Sequence, residues 1–421
     1  MPQLVNGGPR IAMNPQPYLI VTGDFVATGG MDRANLALAS YLAESPALAS
    51  HVHLVCHRAD DELARHPRVT LHQVPRPLGS HWLAGPMLDR AGRRVARSLP
   101  GVRVVVNGGN CRTPRASANW VHYLHACWTP DSGPNVRLPW QRRIKHALAH
   151  RQFLREERIA LELAPRIIAN SHLTAQHIAR YYPQVADRVR VVYYGTDAER
   201  FGPVTSDERS AARESLGLGH DRPVVVFVGA LGDARKGFDI LFDAWTNLAK
   251  SEGWDARLLV VGAGASLPLH ESIAARAGLG DSLRFLGFRR DVPTILAAAD
   301  LLVSPVRYEA YGLNVHEALC REIPVLVSAE SGVAERLPAG SPVSPSALMR
   351  LRGPVDPGSL AEALGHWRER IAEYREAAKV AGAVLRADSW ASRMGEFAAQ
   401  LPAVAHDRDA WNSEQLATGA T

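Results

Sequence analysis

The stretch Arg307–Ser328, RYEAYGLNVHEALCREIPVLVS, decides how this chain folds. It follows DLLVSP, an apolar run that reads as a buried strand, and it closes on IPVLVS, which reads as another. Between them Leu313, His316, Leu319 and Cys320 recur at helical spacing behind Gly312, so the segment is strand, turn, helix, strand. Glu309 then falls just past the carboxyl end of a strand, and Glu317 lies about one and a half turns into the helix. Open α/β sheets bind ligands at that edge.

The same alternation runs outward in both directions. Towards the amino end, YLIVTG, HVHLVC, VTLHQV, VRVVVNGG, NWVHYLHACW, RIIANS and VRVVYYG read as strands. Helical patterns separate them, among them the glycine-opened GGMDRANLALASYLAE and a long basic run from Trp140. The polar stretch GTDAERFGPVTSDERS reads as a linker. Beyond it come PVVVFVG, ARLLVVG, LRFLGF and the two strands of the opening stretch, with helices starting near Gly237, Pro268, Asp291, Gly312 and Asp356. Continuous Val/Leu strands suit parallel sheets covered on both faces, and βαβ alternation builds doubly wound sheets. The expected fold is α/β, two Rossmann-like doubly wound parallel-sheet domains facing a cleft. The first is expected over residues 1–200 and the second over 201–384, with a C-terminal helix at about 385–401 crossing back to the first. Residues 1–17 read as a loose leader and 402–421 as a disordered tail.

Size and composition fit this division. The chain has 421 residues, 46% of them hydrophobic, enough for two substantial cores. The formal net charge is +6, and lysine occurs only at Lys145, Lys236, Lys250 and Lys379. A basic balance suits anionic ligands, phosphates or an anionic membrane surface; an arginine-rich genome accounts for it equally well. Cys56, Cys111, Cys127 and Cys320 form no CxxC pair and sit among apolar neighbours, as free buried thiols do. No apolar run reaches the length of a membrane span, and the expected location is cytoplasmic. GAGASL lacks the third glycine of a dinucleotide fingerprint, and GxxxxGK[ST] and GxSxG are missing, which weighs against NAD-dependent, P-loop and hydrolase chemistry.

Three places carry candidate chemistry. In FVGALGDARKGFDILFDAW, Arg235 and Lys236 meet the start of a helix after a glycine-bearing loop. Two cations there, with the positive end of the helix, suit a phosphate. At the opening stretch, the amides of Gly312, Leu313 and Asn314 point out of a helix amino terminus towards the same kind of group. Glu317 is placed to accept hydrogen bonds from sugar hydroxyls, and Glu309 to meet a second sugar or a developing positive centre. In TGGMDRA, Gly29 and Gly30 either allow a ligand close to the backbone or simply make a tight turn. His122 and His125 form an HxxH pair within a run read as a strand, where positions three apart face opposite sides, so a metal site is not expected.

The ordered set of glycine turn, His-bearing strand, IIANSHLTAQ, VYYGTDAERF, GALGDARKGFDIL, FLGFRRDV, RYEAYGLNVHEAL and SGVAERL resembles the retaining GT-B glycosyltransferases, the large family that includes sucrose synthases and bacterial mannosyltransferases of lipid glycosylation. The resemblance implies a metal-independent hexosyltransferase. It would move a sugar from a nucleotide-diphosphate donor, UDP- or GDP-linked, to a carbohydrate or lipid-linked acceptor in cell-envelope or polysaccharide biosynthesis. No cofactor and no metal are implied, and no nucleic-acid partner. By motif position, Arg235 and Lys236 would neutralise the diphosphate, Glu317 would bind the ribose, and Glu309 and His125 would reach the donor sugar. Gly29 and Gly30 would lie near the diphosphate, and Gly312, Leu313 and Asn314 would hold phosphate or sugar hydroxyls. Two departures stand out: Ala230 where many members carry arginine, and YYGTD where an Asn-Gly pair is common. An epimerase or inverting transferase on the same fold, or a non-catalytic sugar-nucleotide-binding protein, are the alternatives. The basic helix from Trp140, with Arg142, Arg143, Lys145, Arg151 and Arg155, reads either as a solvated face or as a peripheral contact with an anionic membrane.

Overall fold

The computed structural model describes residues 15–129, 140–340 and 344–402. Of the expected leader, residues 1–14 lie outside these, and Gln16 and Pro17 already belong to the first strand. The expected tail beyond Pro402 and residues 130–139 also lie outside the described residues.

Contacts divide the described chain into two compact units. One holds residues 15–119, Leu163–Arg166 and 400–402; the other holds Trp120–Glu162 and Ile167–Ala399. In the first, β1 (Gln16–Val21) pairs in parallel with β3 (Ala49–Cys56) and with β6 (Arg103–Asn107), and β5 (Val69–Gln73) extends the far side of β3. A two-residue pair, β2 (Asp24–Phe25) and β4 (Arg58–Ala59), stands apart, and β7 (Ala116–Val121) neighbours β6. Helix Gly30–Glu44 returns the chain from β1 to β3 and buries Ala34, Leu38, Ala39 and Leu42.

In the second unit β8 (Ile167–Ala169) pairs with β9 (Val189–Val191), again in parallel. Its main sheet is built from β10 (Val224–Val228), β11 (Arg257–Val261), β12 (Leu283–Gly287), β13 (Leu301–Ser304), β14 (Val325–Ser328) and β15 (Arg350–Leu351). Their spatial order is β12-β11-β10-β13-β14-β15, all parallel. The chain therefore builds outward from β10 on one side, then returns to its other side with β13. The crevice outside the carboxyl ends of β10 and β13 is a topological switch point, the place where open α/β sheets take ligands. The Val/Leu runs that marked these strands are buried throughout β10, β11, β13 and β14 apart from Val228 and Arg257. Helix Phe238–Leu248 covers the sheet with Phe238, Leu241, Phe242 and Trp245, each contributing on the order of 1.5–3 kcal/mol by leaving water.

Two expectations are corrected here. The run NWVHYLHACW is not one strand: β7 stops at Val121, and His125–Cys127 form a short 3-10 turn. The polar linker is partly ordered. Ser206–Ser215 form a helix whose amino end is capped by the Thr205 hydroxyl accepting from the Glu208 amide at 3.1 Å.

Candidate functional site

The site grows from the two loops at the switch point. After β10 the chain makes a tight turn at Ala234–Lys236, capped by Asp233, and enters helix Phe238–Leu248 through Gly237. Gly237 is left-handed, with φ +66°, and a Cβ there would lie 1.9 Å from the Pro305 carbonyl oxygen. Only glycine lets the two loops pass this closely. Arg307 binds them together. Its guanidinium donates to the Ala234 carbonyl (2.7 Å) and forks onto Asp239 (2.7 and 2.6 Å), while its amide donates to the Arg235 carbonyl (2.7 Å).

After β13 the loop from Pro305 to Gly312 carries Glu309. Its backbone is fixed on both sides: the Glu309 amide donates to the Glu330 carbonyl (2.9 Å), and the Gly332 amide donates to the Glu309 carbonyl (3.1 Å). Ser171 and Thr174 hydroxyls both donate to the Ala310 carbonyl, at 2.7 and 3.1 Å. Gly312, with φ +103°, then starts helix Leu313–Cys320.

The outcome is one cluster. The Lys236 ammonium is paired with the Glu309 carboxylate, both partly exposed. Glu309 also lies against Gly312, whose Cβ, if present, would be 3.6 Å from Glu309 Cγ. A cation, a carboxylate and a helix amino terminus thus meet at the switch point. Arg235 turns the other way. It forks onto Asp233 at 2.5–3.0 Å and stacks over the Tyr123 ring, 4.7 Å from its centroid. Tyr123 in turn meets the His125 ring edge-on at 4.9 Å. Burial, helped by His150 and Arg235, pushes the His125 imidazole down to about 4, so at neutral pH it is uncharged.

The remaining expected residues divide. Leu313 and Asn314 form the first turn of the helix, and the Asn314 amide donates to the Val228 carbonyl at 3.1 Å, tying the helix to the end of β10. Glu317 sits one turn further and is buried. Gly29 and Gly30 belong to the other unit, where Gly29, φ +89°, precedes helix Gly30–Glu44 and packs beside Asp32. Ala230 is exposed on the loop after β10. His122 is buried against Trp120 and Tyr194, away from solvent, as a packed histidine is.

Sequence reading missed the supports. Tyr123, Asp233, Asp239 and Arg307 position the cations. Glu335 accepts from the His172 and Leu173 amides at 2.6 and 3.0 Å, fixing the helix whose Ser171 cap holds the Glu309 loop. Asp233, two residues before Arg235, was the one local signal for this arrangement; the others come from distant segments.

Comparison with known proteins agrees with this architecture. Residues 222–370 match the family described as Glycosyl transferases group 1, and residues 28–200 match Glycosyltransferase Family 4. The D-inositol 3-phosphate glycosyltransferase 2 of Catenulispora acidiphila is 34% identical over 192 residues, 43% of this chain and 44% of that protein. The lipopolysaccharide core biosynthesis mannosyltransferase LpsB of Rhizobium meliloti is 31% identical over 157 residues, 36% of this chain and 43% of that one. These matches span less than half the length of either relative. Among solved structures, WaaG, a glycosyltransferase involved in lipopolysaccharide biosynthesis, aligns with a TM-score of 0.70 at 19% identity, covering 91% of this chain and 99% of that one. Anabaena HepE, solved in complex with UDP-glucose, aligns with a TM-score of 0.62 at 20% identity, covering 91% and 98%. The chain has the fold of the GT-B glycosyltransferases, with residues 28–200 similar to Glycosyltransferase Family 4 and residues 222–370 similar to Glycosyl transferases group 1.

Proposed function

We propose that the protein transfers a sugar from a nucleotide-diphosphate donor to a hydroxyl acceptor with retention of anomeric configuration and without a metal. One observation carries this: Lys236, Glu309 and the amino terminus at Gly312 meet outside β10 and β13. Breaking the sugar–phosphate bond puts negative charge on the diphosphate and positive character on the sugar carbon. Lys236 and the amides from Gly312 to Asn314 would stabilise the first, since fixed donors of this kind need little rearrangement as charge develops, and Arg235 would join them by leaving Asp233. Glu309 stabilises the second. In the free protein Lys236 and Glu309 neutralise one another, and an arriving diphosphate would take over the ammonium and release the carboxylate to the sugar.

We favour a front-face course. The acceptor oxygen bonds to the anomeric carbon on the face the diphosphate leaves, and the acceptor proton passes to a departing phosphate oxygen. His125, uncharged, contacts the donor sugar, and Glu317 takes the ribose hydroxyls. Residues 1–200 serve mainly the acceptor and 201–384 mainly the donor. The named ligand of HepE supports a UDP-linked donor, and a GDP-linked one is the competing choice. The lipopolysaccharide roles of LpsB and WaaG support a carbohydrate or lipid-linked acceptor.

The helix Trp140–Leu163 supports work at a membrane surface. Trp140, Ile144 and Leu148 are 66, 51 and 56% exposed at four-residue spacing, and Arg143, Lys145 and Arg151 flank them. An exposed apolar stripe with basic flanks suits an anionic bilayer. Among the described residues no helix is long and apolar enough to cross one. Salt-sensitive flotation with phosphatidylglycerol vesicles tests the contact; failure to float removes it. A thermal-shift screen of UDP-, GDP- and ADP-sugars, followed by proton NMR of the product, tests the reaction. Retained configuration is expected, and an inverted product overturns the reading.

A further inference from the structure

The helix Trp140–Leu163 has an inner face that the basic pattern concealed. Phe153 stacks on the His125 ring at 4.9 Å with an interplanar angle of 25°, and His150, one turn earlier, adds its charge to the His125 environment. One turn later, Glu157 is 1% exposed. Its Oε2 accepts the His125 amide at 2.7 Å; its Oε1 accepts the Ala126 amide at 3.2 Å and the Tyr182 hydroxyl at 2.7 Å. Residues 150, 153 and 157 lie on one side of a helix, and together they cradle the turn His125–Cys127. A buried carboxylate is expensive unless hydrogen-bonded, and here three donors from two other segments converge on it.

We propose that Glu157 is a positioning residue for His125: its ionised carboxylate fixes the turn His125–Cys127 and so holds the imidazole beside Tyr123 and Arg235. This rests on the placement of His125 in the site proposed above. The carboxylate is acceptor-only and matches three donors; a protonated carboxyl must also place its own hydrogen among them and loses at least one bond. Burial pushes Glu157 up to about 7, against the opposing pull of the Tyr182 hydroxyl and the two amides. Among the described residues, the other titratable or charged groups facing this cluster include Tyr123 just before the turn, Cys127 within it, Tyr308 from the loop after β13, Arg180 from helix His172–Tyr181, and Arg158 from its own helix. Acidification through neutrality therefore loosens the turn.

The test uses the full chain and the donor selected by the thermal-shift screen, with release of nucleoside diphosphate as readout. Wild type is expected to show an acid limb near pH 7 in kcat. Tyr182→Phe removes a hydrogen bond that favours the ionised form, so its limb moves to higher pH. Glu157→Gln abolishes the limb and lowers kcat by about tenfold, with the donor KM within about twofold, because the imidazole is misplaced and not removed. Histidine NMR on the free protein gives a readout independent of turnover: in Glu157→Gln and in Tyr182→Phe at low pH, the His125 imidazole becomes easier to protonate. An acid limb at the same pH in all three proteins, with an unchanged His125 titration, overturns the inference. Full turnover in His125→Ala sinks the site reading instead, whatever the Glu157 variants do.

Discussion

Strand β13 has an acidic residue at each end, and the two do opposite work. Asp300, just before it, is 4% exposed and accepts from Arg209 (2.5 Å), Arg213 (2.6 Å), Arg375 (2.8 Å) and the Val224 amide (2.9 Å). Three guanidinium groups and a strand end are tied at the amino edge of the sheet. Glu309, past the carboxyl end, has a side chain 20% exposed and faces one ammonium and a helix amino terminus. In the first cluster the carboxylate and Arg213 are buried and both carboxylate oxygens are saturated, so its value is structural. The second is partly open to solvent and set beside positive potential, as the proposed replacement of Glu309 on Lys236 by a diphosphate requires. A charged pair in this sheet is read by its edge and its solvent access, not by its strength.

The largest expected effect breaks the second cluster. Lys236→Ala and Glu309→Ala each lower transfer by about 10²–10³-fold while the urea midpoint stays near wild type, since a partly exposed pair contributes little to stability. Asp300→Ala does the reverse. Leaving the buried Arg213 without its carboxylate costs about 3–5 kcal/mol, and the fraction that remains folded is expected to keep its transfer activity. Initial rates and urea unfolding of the three variants check both halves; parallel losses in rate and stability at both ends of β13 would erase the distinction.

Gly237→Ala sharpens it further. The new Cβ meets the Pro305 carbonyl, so the turn bearing Arg235 and Lys236 must move. Strain of about 1–3 kcal/mol is expected, with a rate loss of up to about 10²-fold from misplacement, read by unfolding and kinetics together.

Acid acts on the site side through its buried histidines. Desolvation holds His316, hydrogen-bonded to the Tyr311 hydroxyl at 2.8 Å, down at about 3, and His125 at about 4. Both stay neutral when folded, whereas the unfolded chain takes up protons below about 6.5. Stability is therefore lost as pH falls from about 6.5, by roughly 1–2 kcal/mol per histidine at pH 5. Urea melts of wild type and His316→Gln at pH 7 and pH 5 measure the difference. The smallest effect is expected from Asp239→Asn, which breaks one arm of the Arg307 brace; a few-fold loss of turnover is the expected size.

The strands and their parallel order were legible because buried Val/Leu runs alternate with helices, and the carboxyl-edge rule then picked out Glu309 and Lys236. The same logic could not place His125. Its run looked like a strand, whereas it forms a short 3-10 turn whose amides donate to Glu157, a carboxylate on a helix read only by its basic pattern. The helix inside the polar linker was signalled by Thr205 and Glu208, a capping pattern outweighed by the surrounding polarity. The Asp300 network was invisible for a different reason. Its partners come from two helices and a strand end far from it in sequence, and nothing local announces a contact made only by folding.

The most direct test is a crystal structure with the nucleotide sugar that most raises Tm. The diphosphate should lie outside β10 and β13, on Lys236 and Arg235 and on the amides that follow Gly312, with Glu309 released towards the sugar. A diphosphate bound elsewhere, with Lys236 still paired to Glu309, would contradict the account.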